Sequence, residues 1–175
     1  MFIISYQRLI IPLLILSLIL TLSGCGGLGL TPNLPDSQEK GVLYLEPANL
    51  TIAPDKGFTV ELKTASITNL KGYSVILFYD PALLSLQEAE EGLFLLTEGK
   101  TFFYKKVDDA KGTISIDCAI LGTELSVSGE GTLATFYFAS LKAGSPSIEF
   151  SLVKTRDTYN KEIITTMRNS LIRSE

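Results

Sequence analysis

The 175-residue sequence contains no histidine, no tryptophan and only two cysteines, and nowhere does it gather lysine and arginine into a run. Without histidine there is no Ser-His-Asp or Cys-His nucleophile system, no usual zinc ligand set, and not the commonest general base. An enzyme built on this chain would have to work with carboxylates alone. Without tryptophan there is no indole platform for a sugar, although tyrosine and phenylalanine can still stack on a pyranose face. The formal charge of −4 opposes nucleic acid as a partner, because a phosphate-binding surface needs clustered cations to release counterions. No cofactor or metal is expected.

What is present begins with an address. Arg8 precedes a nearly unbroken apolar segment over residues 9–22, and small residues follow it, the three-part layout of a secretory signal. The segment is short for a membrane span of about 20 residues; an uncleaved signal anchor is the competing reading. Its end, Leu22-Ser23-Gly24-Cys25, resembles the lipobox at which bacterial lipoproteins are cut. The resemblance implies that residues 1–24 are a signal peptide and that Cys25 becomes the acylated first residue. The product would be an exported lipoprotein of the bacterial cell envelope. At about 0.8 kcal/mol per buried methylene, several acyl chains hold almost irreversibly. Residues 26–40, with three glycines and two prolines and no apolar period, read as a flexible spacer. Residues 41–175 are the right size for one domain with its own core.

From Gly41 onward short runs alternate between apolar and polar residues, the all-β signature. Residues 42–46 and 49–52 read as a first strand pair or one split edge strand. Pro54-Asp55-Lys56-Gly57 is a turn whose glycine is expected to take positive φ. Residues 58–64 alternate strictly. Residues 73–79 are apolar on both faces, as in a central strand, and Asp80-Pro81 stops them. A strand over 85–89 and a short turn over 91–98, with Leu93, Phe94 and Leu96 inward, come next. Residues 101–107 and 113–121 flank Asp108-Asp109-Ala110-Lys111-Gly112, a hairpin loop with glycine late. Strands over 131–141, 147–155 and 162–172 bring the count to about nine, which suggests a sandwich. Cys118 alternates in phase with Ile114, Ile116 and Ile120, so it reads as a core thiol rather than a reactive one.

The order of landmarks resembles a cohesin, the β-sandwich receptor module of bacterial cellulosome scaffolds. The resemblance is carried by Gly57-Phe58-Thr59-Val60-Glu61-Leu62, Asn69-Leu70-Lys71-Gly72-Tyr73-Ser74-Val75 and, above all, Leu77-Phe78-Tyr79-Asp80-Pro81-Ala82-Leu83-Leu84. Gly112-Thr113-Ile114-Ser115-Ile116, Gly131-Thr132-Leu133-Ala134-Thr135-Phe136-Tyr137-Phe138 and Arg156-Asp157-Thr158-Tyr159-Asn160-Lys161-Glu162-Ile163 follow. Together they cover most of residues 41–170. The resemblance implies a nine-stranded sandwich with jelly-roll topology, no catalysis, and a flat sheet face that binds a dockerin, the small calcium-loaded module of secreted enzymes. The chain lacks the Asp-rich loop of the dockerin side itself. Carbohydrate-binding modules share the superfamily, so sugar binding is the second inheritance.

In cohesins the exposed side of the strand leading to Tyr-Asp-Pro helps form the dockerin contact. Counting back from Asp80, the outward set here is Gly72, Ser74, Ile76 and Phe78, with Val75, Leu77 and Tyr79 inward. Gly72 and Ser74 stand where the family carries polar recognition residues, which puts binding of a typical cellulosomal dockerin in doubt. Ile76 and Phe78 form either a hydrophobic docking stripe or a pair hidden beneath a loop or the Leu93–Leu96 segment. Ser115, Asp117 and Ala119 flank the same surface if their strand is a neighbour. Tyr104 with Phe102 or Phe103 offers an aromatic contact for a sugar. Glu88, Glu90 and Glu91, like Asp108 and Asp109, could pair for glycoside hydrolysis, but their place in turns reads as solvated surface. The functions that remain are a lipid-anchored module recruiting dockerin-type or other proteins in polysaccharide degradation, a carbohydrate-binding lipoprotein, and a self-associating envelope subunit.

Overall fold

Alternation becomes eleven strands in the computed structural model, which describes residues 41–175; the expected signal peptide, Cys25 and the expected spacer lie outside the described residues. In chain order they are β1 (Gly41–Glu46), β2 (Asn49–Ile52), β3 (Gly57–Leu70), β4 (Gly72–Tyr79) and β5 (Leu84–Glu91). A single turn of helix, α1 (Leu93–Leu96), precedes β6 (Thr101–Asp108), β7 (Thr113–Ile120), β8 (Val127–Ser140), β9 (Ser147–Arg156), β10 (Thr165–Arg168) and β11 (Ser170–Ser174). One sheet has the order β10-β1-β3-β8-β5, the other β2-β11-β9-β4-β7-β6.

The expected nine strands become eleven because the chain changes sheet near both ends of the domain. Pro47, which has no N–H to give to a ladder, separates β1 in one sheet from β2 in the other. Asn169 does the same between β10 and β11, its side-chain carbonyl accepting from the Phe150 N–H at 3.1 Å. The two divided strands run side by side, β1 parallel to β10 and β2 parallel to β11. Ser170 Oγ donates to the Pro47 carbonyl at 2.5 Å, tying the two crossings together.

Between the sheets lies one apolar core, to which Leu43, Leu45, Val60, Leu62, Val75, Leu77, Ile114, Ile116, Phe136 and Phe138 contribute. Phe138 stacks on Phe58 at 5.7 Å and meets Tyr79 of the facing sheet edge-on at 5.3 Å, both favourable quadrupole arrangements. β4 is central, held between β7 and β9, as its two apolar faces predict. A tyrosine at each end of it reaches a partner: Tyr73 donates to the Leu133 carbonyl at 2.7 Å and Tyr79 to Asp109 Oδ1 at 3.2 Å. Asp80 accepts from the Ala82 N–H at 2.8 Å and fixes the turn that leaves the strand.

The β6–β7 hairpin forms with Gly112 at φ 63°. A Cβ there would overlap the Tyr79 carbonyl, and the Gly112 carbonyl accepts from the Tyr79 N–H at 2.8 Å. Two local expectations fail. In the turn before β3 the left-handed residue is Asp55, at φ 59°, not Gly57; aspartate tolerates that region. In α1 it is Leu95 that is buried, while Leu93 and Leu96 are exposed. A four-residue turn is too short for its apolar period to set the phase, which instead follows from where β5 delivers the chain.

Candidate protein and carbohydrate interface

The outer side of the six-stranded sheet is a grid of side chains set by strand register. Alternation points Ile114, Ile116, Cys118 and Ile120 of β7 inward and leaves Thr113, Ser115, Asp117 and Ala119 outward. The register with β4 then pairs Gly72 with Ala119, Ser74 with Asp117, Ile76 with Ser115 and Phe78 with Thr113. All seven residues expected at a docking surface therefore lie on one patch of sheet. β6 adds Phe102, Tyr104 and Lys106 opposite Ala119, Asp117 and Ser115. β9 adds Arg156, Lys154, Leu152 and Glu149 opposite Gly72, Ser74, Ile76 and Phe78, with a bulge after Leu152.

The patch has two ends of different character. At one, Phe78 is 45% exposed and lies beside the half-buried Ile76 and Leu152. Nothing among the described residues hides it, since α1 packs on β8 with its Phe94 ring against Gly131. At the other end Gly72 does not project, as expected of a contact residue, but is buried: a Cβ on it would meet the Cys118 carbonyl at 2.8 Å and the Ala119 Cβ at 3.0 Å. With Ser74 and Ala119 it makes the floor of a recess of about 470 Å³, walled by Phe102, Lys71, Lys154 and Arg156 and closed by the Asp157–Asn160 turn. That turn is held by Asp157 Oδ1, which accepts from the N–H groups of Tyr159 at 2.9 Å and Lys161 at 2.8 Å.

The aromatic question resolves by alternation. Phe103 packs against the core, whereas Phe102 and Tyr104 are 58% and 48% exposed on one side of β6. The β9 residues Leu152, Lys154 and Arg156 escaped sequence reasoning, because β9 reaches β4 only through the crossover topology. The alternation of residues 152–156 was the one available signal.

Glu88, Glu90 and Glu91 lie on β5 rather than in a turn, and Glu90 and Glu91 line a recess on the five-stranded side together with Glu61. Glu91 accepts from Thr101 Oγ1 at 2.5 Å and from Cys118 Sγ at 3.4 Å, Glu90 accepts from Tyr137 at 3.0 Å, and Asp109 accepts from Tyr79. Lys111 binds Asp108 at 3.2 Å, and with hydrogen bonding to Lys111 as the first cause the Asp108 carboxyl is held below its usual range. Cys118 is buried, and desolvation first, then the Glu91 charge, pushes its thiol up to about 12. Among the described residues no group of three or more acidic or cysteine side chains could hold a metal ion.

No family model matches the chain, and no curated protein matches it in sequence. Solved structures do resemble it. A non-cellulosomal cohesin from the archaeon Archaeoglobus fulgidus superposes with a TM-score of 0.65 at 15% identity, covering 78% of this chain and 91% of that one. A chain of a type I cohesin–dockerin complex from Clostridium thermocellum gives 0.69 at 14% identity, covering 78% and 100%. A type II cohesin domain from the cellulosome of Acetivibrio cellulolyticus gives 0.68 at 18% identity, covering 76% and 95%. At such identities the likeness is one of architecture, and the two-sheet body of residues 41–175 accordingly has the cohesin fold.

Proposed function

We propose that this chain is a non-catalytic, lipid-anchored module on the outside of the cell that docks dockerin-type proteins on the outer side of its six-stranded sheet. The observation that carries the reading is the open patch around Phe78, Ile76 and Leu152 beside the polar grid of Ser74, Ser115 and Asp117. Exposed apolar surface rimmed by polar residues is the usual mark of a protein contact. Several chains of the same fold come from cohesin–dockerin complexes, and the Leu22-Ser23-Gly24-Cys25 sequence supports the anchor.

The test is binding of the full chain, in detergent, to purified dockerin-bearing proteins of its own organism with and without a calcium chelator. Calcium-dependent binding is expected, and Phe78→Asp should cost on the order of 2 kcal/mol or more, the scale of a central anchor residue. The absence of any calcium-dependent partner overturns it. The anchor is checked separately: Cys25→Ser should abolish fatty-acid incorporation and release the chain from the membrane fraction, and acylation persisting in that variant would refute the assignment.

A second reading, binding of polysaccharide, is favoured by the exposed Phe102 and Tyr104 side by side on β6. Retention on an insoluble polysaccharide without any calcium-dependent protein partner would establish it in place of the first.

A further inference from the structure

The recess at the Gly72 end of the patch is lined in a directional way. Ser74 lies between Asp117 on β7 and Lys154 on β9 in one row of the grid, and in the next row Ala119 and Gly72 lie between Phe102 on β6 and Arg156 on β9. With strands about 4.8 Å apart, the Asp117 and Lys154 backbones are about 10 Å from one another, and those of Phe102 and Arg156 about 14 Å. An exposed ring thus faces Lys154 and Arg156 across a shallow floor of small residues, with Asp117 set into that floor and Asn160 at its end; of the other charged lining residues, Lys71 donates to the Gly122 carbonyl and Asp157 accepts from the backbone of its own turn. Lys154 makes no ion pair among the described residues, and Arg156 reaches Glu162 only at 3.9 Å.

A ligand that satisfies this lining has a flat, weakly polar face for Phe102, an anion for Lys154 and Arg156, and hydroxyl donors for Asp117. We propose that the recess binds a hexuronic acid residue of an acidic polysaccharide, with its ring on Phe102, its carboxylate toward the β9 cations and its hydroxyls toward Asp117 and Asn160. A neutral sugar would leave both cations unmatched. A peptide carboxylate would supply the anion, but a pyranose ring alone carries the flat face, the anion and several hydroxyl donors on one rigid residue. The chain's overall charge of −4 repels polyanions at long range, so such binding would be a property of this recess and not of the whole surface. The inference rests on the polysaccharide reading and not on protein docking.

The experiment is titration of the full chain in detergent with oligogalacturonate, with the neutral galactose oligomer of equal length, and with an acidic peptide. The uronate oligomer is expected to bind about tenfold or more tightly than the neutral one, as for one charge-assisted hydrogen bond, with the advantage shrinking as salt rises. Lys154→Ala should erase the advantage, and Phe102→Ala should weaken both sugars. Equal affinity for the two oligomers overturns the proposal while leaving the polysaccharide reading intact. Binding of neither overturns the proposal, the polysaccharide reading being decided separately by retention on insoluble polysaccharide, and preference for the peptide reassigns the recess to a protein partner.

Discussion

The two outer faces of this sandwich are built from the same alternating strands and finish in opposite ways. On the five-stranded sheet the side chains answer one another. Lys63 lies 2.6 Å from Glu46 and 3.8 Å from Glu61, Arg168 sits 6.0 Å over the Tyr44 ring, and Tyr137 donates to Glu90 at 3.0 Å. A recess on that side, also of about 470 Å³, is lined by Glu61, Glu90, Glu91, Thr97, Thr132 and Thr135. On the six-stranded sheet Phe78, Phe102 and Tyr104 make no ring or cation contact, and Lys154 no ion pair, among the described residues. On the first face the charged groups named are paired and the recess is acidic, with Leu93 exposed at its rim; the other keeps unpaired aromatic and cationic groups beside exposed Phe78. The difference supports the proposal that the six-stranded face is the one that takes a ligand, since groups already paired within the chain gain little by exchanging one partner for another.

The largest effect should come from placing the same charge on each face. Phe78→Asp is expected to remove partner binding on the scale given above, whereas Thr59→Asp, at an exposed position opposite Tyr137 on the five-stranded sheet, should leave affinity within about 0.5 kcal/mol, as surface substitutions away from a contact do. Calorimetric titration of both variants against one dockerin-bearing partner decides it. If Thr59→Asp were the damaging substitution, the two faces would have to be exchanged.

A smaller effect distinguishes the two sides of one strand, β7. Cys118 points inward, and its thiol is raised from an ordinary 9.0 to about 12, by burial first and then by Glu91. The Tyr73 phenol, also buried, is raised well above its ordinary value, again by desolvation first. Both groups keep their protons in the folded state at pH values where the unfolded chain has lost them. Their contribution to stability is therefore complete below about pH 9 and declines as the pH rises from there toward 12. Urea midpoints at pH 7, 9.5 and 10.5 should fall in that order, and Cys118→Ala should flatten part of the fall. Ser115→Ala, on the outer side of the same strand, should not. A Cys118 that reacts with a thiol reagent at pH 8 as fast in the native protein as in urea would show that the inward side is not closed.

How much of this was legible beforehand follows from what is local in the chain. The inward and outward sets of β4 and β7 are fixed by period 2, so Val75, Leu77, Tyr79 and the three isoleucines around Cys118 could be assigned from sequence, as could the β6–β7 hairpin with Gly112 at its end. The neighbours of a strand are not local. Leu152, Lys154 and Arg156 join the patch through a β4–β9 pairing that spans most of the domain, and no composition signal announces it. The recess was illegible for a related reason: Gly72 acts by what its missing Cβ leaves open against Ala119, a residue on another strand. The changes of sheet at Pro47 and Asn169 were hidden because each looks, in sequence, like a short gap within one edge strand. In α1 the choice of Leu95 over Leu93 and Leu96 depends on the exit direction of β5, which a single turn of sequence does not encode.

The smallest effect tests the satisfied face. Lys63 has its pKa raised, with the hydrogen bond to Glu46 as the first cause, yet its side chain is a quarter exposed and that of Glu46 half exposed, so solvent screens the pair. Lys63→Met should therefore cost less than about 1 kcal/mol of stability at low ionic strength, and the cost should shrink further in 1 M salt. Lys154→Met on the other face should cost nothing measurable in stability at either salt concentration, because no partner within the described residues is lost. Chemical denaturation of the two variants at both ionic strengths reads the difference directly. Equal, salt-insensitive losses would mean that the two lysines act through the packing of their methylene stems, and the contrast between a paired and an unpaired face would then have to rest on the aromatic residues alone.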